Sequence, residues 1–152
     1  MDNNPCPLSF RKYKCINFNQ ALIADHLDCA IYFFYDDYNN ILYRACYCCS
    51  INIITYLLEN KLCNINYQDE YQDKNTILHH ICVWNHIDDD FLVCIIELLL
   101  KHGADPDLMN NNSLIFLDLY KNNKNYQQHV YDELLVLYNR YTSPEIKDPG
   151  YD

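Results

Sequence analysis

Cys46, Cys48 and Cys49, with Cys63 and the run His79-His80-Ile81-Cys82, are the side chains in this sequence best suited to chemistry. Thiolates and imidazoles are the donors zinc prefers, four of them converging tetrahedrally. Cys46, Cys49, His80 and Cys82 form one candidate set, since Cys46 and Cys49 lie three apart and would share a face on a helix. The two paired C-x-x-C modules of a structural zinc site are not present, and burial as small apolar residues is the other reading. A cysteine nucleophile would need an adjacent base and an activating environment. Nine cysteines and six histidines make chance pairs unavoidable, and no local signature singles one out. We expect no catalytic residue, no metal and no cofactor.

Other chemistries are excluded more firmly. The 152 residues contain only two glycines, Gly103 and Gly150, which removes Gly-rich phosphate loops, dinucleotide fingerprints and the GxSxG elbow together. A formal charge of −10, with Arg11-Lys12-Tyr13-Lys14 as the densest basic stretch, argues against nucleic acid as a partner. Asp88-Asp89-Asp90 lacks the alternating oxygens and distal Glu of a calcium loop and reads as a helix cap. The longest apolar stretch, Phe91 to Leu100, spans ten residues and carries Glu97, too short to cross a bilayer. Met1 to Lys14 show no apolar signal segment, so the cysteines are expected to stay reduced in a cytoplasmic setting.

The elements that must position these residues are helical. Ala21, Leu22, Ile23, Ala24, Leu27, Ala30, Ile31 and Phe34 recur near helical spacing and predict one helix over Asn19–Phe34. Further apolar helices are expected over Ile51–Asn60, Phe91–His102 and Tyr131–Tyr141. Asn40-Ile41-Leu42-Tyr43 aligns with Thr76-Ile77-Leu78-His79 at an offset of 36, and the latter with Ser113-Leu114-Ile115-Phe116 at 37. A fixed period of this size indicates stacked repeat units. Thr76 is a suitable N-cap, Lys101 and His102 suit a helix C-terminus, and Gly103 suits the left-handed position beyond it.

The run Ile95-Ile96-Glu97-Leu98-Leu99-Leu100-Lys101-His102-Gly103-Ala104-Asp105-Pro106-Asp107 resembles the second helix and exit loop of an ankyrin repeat, and Thr76-Ile77-Leu78-His79 resembles its Thr-Pro-Leu-His helix start. The composition and stretched spacing are similar to short poxvirus ankyrin proteins that act against host defence. The resemblance implies an all-α solenoid of about three helix-turn-helix repeats with degenerate caps. It divides the chain into an N-terminal segment and capping helix (1–35), repeats at 36–68 and 69–110, a degenerate repeat or cap at 111–141, and a tail at 142–152. Departures are the long loop from Asn66 to Thr76, Lys74 at the family's usual glycine, an insertion over Val83–Asp90, and a third unit lacking the His and Gly. Ser143-Pro144-Glu145-Ile146 resembles the opening of the F-box-like segment of longer poxvirus relatives, but the remainder of that segment is not present, so no ligase recruitment is expected.

The resemblance further implies a non-enzymatic module whose turns touch a partner. Acids and aromatics interleave there as Tyr35, Asp36, Asp37, Tyr38, Asp69, Glu70, Tyr71 and Asp73, a composition favoured at contacts. Trp84 either packs the insertion down or anchors a partner. The expected partner is a host protein with a basic patch, met in the host cytoplasm, with no membrane and no small-molecule substrate. A zinc-stapled binding domain, or a remnant of a longer ubiquitin-ligase adaptor, are the alternatives.

Overall fold

In the computed structural model the described residues are 15, 17–33 and 37–143, and among them eight α-helices and no strand occur. They run α1 (Phe18–Ile23), α2 (Leu27–Tyr32), α3 (Tyr38–Tyr47), α4 (Ile51–Glu59), α5 (Ile77–Val83), α6 (Asp89–Lys101), α7 (Phe116–Lys121) and α8 (Gln128–Thr142). The chain divides into two compact units, Met1–Asn64 and Ile65–Asp152. In the first, α1 packs on α2, α3 on α4, and α2 on α4. In the second, α5 pairs with α6 and α7 with α8, while α5 packs on α7 and α6 on α8. Like helices therefore lie beside like helices, the arrangement of an all-α repeat fold.

Helix lengths make this packing obligatory. The six residues of α1, α2 and α7 and the seven of α5 are far short of what an isolated helix needs in water. Their stability comes from the apolar stripes they bury. Ile41, Leu42, Ala45 and Cys46 of α3 are fully or almost fully buried, as are Leu78, Ile81 and Cys82 of α5. On α6 the buried positions are Leu92, Ile95, Ile96, Leu99 and Leu100, at the three- and four-residue spacing of one helix face.

Matching these buried positions settles the internal register. Ile41-Leu42 and Ile77-Leu78 are equivalent at the expected offset of 36. The third unit departs from expectation: Phe116-Leu117 and Tyr120 are the buried set, which puts the offset at 39 rather than 37. Ser113 is not its N-cap. It sits at φ +58° in a turn closed by the Asn110 side chain, which accepts the N–H groups of Asn112 and Leu114 at 3.0 and 3.1 Å. Ile115 is the N-cap, and the Asp118 carboxylate accepts its N–H at 3.0 Å.

The helix expected over Asn19–Phe34 is broken in two. Asp25, at φ +46°, separates α1 from α2, and its carboxylate accepts the N–H groups of Asn52 and Ile53 at 2.9 and 3.2 Å. The positive end of α4 is thus capped from outside its own segment, while its formal cap Ser50 donates its hydroxyl to the Leu22 carbonyl at 2.6 Å.

One stop device recurs four times. After α1, α3, α4 and α6 the chain turns through Asp25, Cys49, Lys61 and Gly103, all at positive φ. In each, a backbone N–H returns to the carbonyl five residues earlier: His26 to Ala21, Ser50 to Ala45, Leu62 to Leu57 and Ala104 to Leu99. This is the Schellman closure, which favours glycine because a Cβ is strained there. Only Gly103 conforms. Cys49 consequently lies beyond the end of α3 and not on its face with Cys46.

Leu99→Ala, at a site with no exposure, is expected to lower unfolding free energy by about 2–5 kcal/mol in urea melts. Gly103→Ala meets no atom within 4 Å at the new Cβ, yet its φ of +94° should make it cost about 1–2 kcal/mol by the same measurement.

Candidate functional site

The loop between Asn66 and Thr76 is largely exposed, and its shape follows from polar side chains folded back on the backbone. Asp69 and Asn75 form an isolated antiparallel bridge, and Lys74 donates its N–H to the Asp69 carbonyl at 2.9 Å. The Asp69 carboxylate accepts the Tyr71 N–H at 2.9 Å and the Gln72 amide at 3.0 Å. Gln68 donates its amide to the carbonyls of Lys74 and Met109, at 3.0 and 2.9 Å. Asp73 and Lys74 both take positive φ, +56° and +53°, so the residue standing where the family places glycine keeps a glycine-like backbone. Tyr71 projects from the tip of this loop and is 96% exposed.

The loop is fastened to its neighbours at the same level. Asn66 donates to the Gly103 carbonyl at 3.1 Å and accepts the Asp105 N–H at 2.8 Å, joining the start of this loop to the turn after α6. Asn111 donates its N–H to the Asp73 carbonyl at 2.8 Å, and Asn110 donates to the Asn75 side chain at 3.0 Å. Tyr138 of α8 donates its hydroxyl to Asp107 at 2.7 Å, and that bond raises the phenol's pKa.

Beneath the loop, His79 holds the start of α5. Its Nδ1 accepts the Thr76 N–H at 3.2 Å, which leaves the proton on Nε2, 2.9 Å from the Leu114 carbonyl that it donates to. The Thr76 hydroxyl lies 2.8 Å from the same Nδ1. One neutral imidazole therefore caps a helix and ties it to the next unit. Burial lowers its pKa, opposed by the Leu114 bond and by Asp118. His80 is lowered by burial too, with Asp69 opposing and His79 adding to the shift.

The insertion between α5 and α6 is shorter than expected, because Val83 closes α5 and Asp89 and Asp90 belong to the first turn of α6. Trp84 is half-buried, stacked on His80 at 6.4 Å between centroids and tilted against His86 at 6.1 Å. It lines a cleft of about 240 Å³ with Asp88, Asp89, Leu92, Tyr120 and Asn123. The sequence singled out Trp84 but not Tyr120 or Asn123. Asn123 donates to the Cys82 carbonyl at 2.7 Å, a tertiary contact over 41 positions that no local pattern announces.

The remaining named residues fall as follows. In the N-terminal unit Asp37 is the N-cap of α3 and accepts the Asn39 N–H at 3.3 Å, while Tyr38, the first helical residue, is partly exposed. Tyr35 and Asp36 lie outside the described residues. Glu70 and Asp73 are exposed on the C-terminal loop. Of the candidate zinc set, Cys46 and Cys82 have no exposure, and burial drives both thiols up. Ser143 is the last described residue, so the segment from Pro144 lies beyond them.

The lowered histidines give a signed pH dependence. An unfolded histidine protonates near its ordinary value of 6.5, whereas His79 and His80 resist protonation in the fold. Their contribution is complete above that value and is lost as pH falls through the lower folded values. Stability measured by urea melts should decline from pH 7 toward pH 5, and His79→Gln should start lower and show a shallower decline.

Residues 73–111 match the ankyrin-repeat family, a segment that runs from the tip loop through α5 and α6 to the turn before α7. No curated protein matches the chain. An ankyrin repeat is a protein-interaction unit; the matched segment takes in Asp73 and Lys74 of the tip loop and Trp84, Asp88, Asp89 and Leu92 of the cleft, whereas Tyr71, Tyr120 and Asn123 lie outside it.

Proposed function

We propose that the chain is a non-enzymatic interaction module of a viral protein that binds a host protein carrying a basic patch, in the host cytoplasm, and blunts innate immune or cell-death signalling by masking that partner. The observation that carries the binding reading is Tyr71: an almost wholly exposed aromatic on a loop with little freedom left to lose. A tyrosine held this way offers contact area at low entropic cost, the property of interface anchors.

Charge supports a basic partner. Glu70 and Asp73 flank Tyr71, and Asp88 and Asp89 stand beside Trp84 and Tyr120 in the cleft. Aromatic faces next to carboxylates suit a lysine or arginine side chain. The overall charge of −10 would hasten encounter at low salt. The likeness to short poxvirus ankyrin proteins in composition and spacing supports the viral setting, and the ankyrin match supports the module.

The test is affinity capture from host cells, followed by binding of the purified partner. Tyr71→Ala and Asp73→Ala, checked for native helicity by circular dichroism, should weaken binding about tenfold or more if Tyr71 is an anchor. The association rate should fall with added salt. A partner that binds both variants as tightly as wild type would remove this loop from the site, and recovery of no partner in any host cell would favour a remnant without dedicated activity.

A further inference from the structure

The N-terminal unit contains a ligand set that neither its spacing nor the ankyrin pattern announces. Among the described residues, Cys15, His26 and Cys29 are the one group of three or more metal-binding side chains whose donor atoms all lie within 4.8 Å of one another. Two thiolates and a neutral imidazole balance the charge of a divalent cation, so the assembled site is electrically neutral and tolerates burial. Cys15 is 5% exposed and Cys29 has no exposure, while His26 is half-buried.

We propose that Cys15, His26 and Cys29 bind a thiophilic divalent cation, zinc in the first instance. Zinc–sulfur bonds of about 2.3 Å in a tetrahedron need donors roughly 3.7 Å apart, a contraction small enough for side-chain rotation to supply. His26 is the N-cap of α2, and its Nδ1 accepts the Cys29 N–H at 3.4 Å. That bond is long, so exchanging it for a metal bond sacrifices little. Three protein donors leave one coordination position for water or a further ligand.

His26 also borders an open cleft of about 410 Å³ between α2 and α4, lined by the carboxylates of Asp25, Asp28 and Glu59. Their field concentrates cations at the mouth, and the softer thiolates hold the ion further in. The bound ion would join residue 15 to the start of α2, stapling the end of a unit whose first two helices have six residues each.

The experiment uses the full chain, reduced, freed of metal with a chelator and titrated with cobalt(II). The expected result is about one ion per chain, with thiolate-to-cobalt charge transfer and the visible bands of tetrahedral cobalt, displaced by zinc. Cys15→Ser and His26→Asn should each weaken binding about tenfold or more, and zinc should raise the melting temperature of wild type but not of these variants. His26→Asn retains a side chain that caps helices well, so an unchanged circular dichroism spectrum separates lost ligation from lost folding. Cys63→Ser and Cys94→Ser should bind as wild type. No cobalt spectrum with wild type, binding untouched by His26→Asn, or a Cys15–Cys29 disulfide forming in place of the metal complex would each overturn the proposal.

Discussion

Helices of six and seven residues cannot persist unless each leans on another, and that dependence governs this protein. Burial of a leucine or phenylalanine contributes about 1.5–3 kcal/mol, so a short helix with two or three such residues is held by its neighbours and by little else. In the C-terminal unit the neighbours are like helices, α5 against α7 and α6 against α8. The apolar stripes fix which faces meet. Polar ties then fix the level at which they meet: His79 to Leu114, Asn123 to Cys82, and Asn66 to Gly103 and Asp105.

Scarcity of glycine shapes the loops. With Gly103 the only glycine at a described helix end, three of the four Schellman closures place Asp25, Cys49 and Lys61 in a region strained for side chains, and the tip loop does the same with Asp73 and Lys74. Such conformations persist only where surrounding bonds over-determine them. Around Asp69 those bonds are numerous, and the consequence is a loop that is exposed without being loose. Rigidity and display at Tyr71 have one cause.

Several acidic residues organise the backbone around them. Asp25, Asp37, Asp88 and Asp118 accept backbone N–H groups at helix starts, and Asp69 organises the tip loop. Their charges are spent on local structure and lie where helix dipoles favour them. Glu70 and Asp73 stand exposed beside Tyr71.

Periodic burial and helix stops written in the standard residues were legible without coordinates. Leu78, Leu99, the Asp88 cap and the Gly103 stop all stand where spacing and residue type placed them, because α6 carries its own cap, stripe and glycine. The break at Asp25 was not legible, since an aspartate in the glycine position gives no stop signal and its carboxylate serves a helix some 27 residues away. The third unit's register escaped for a related reason: Asp118 replaces His79 at the helix start, and that equivalence is geometric, not chemical. The gathering of Cys15, His26 and Cys29, and of Trp84 with Tyr120, likewise belongs to the tertiary structure alone. Local pattern determines which face of a helix is dry, whereas distances across the fold depend on where each turn sends the chain.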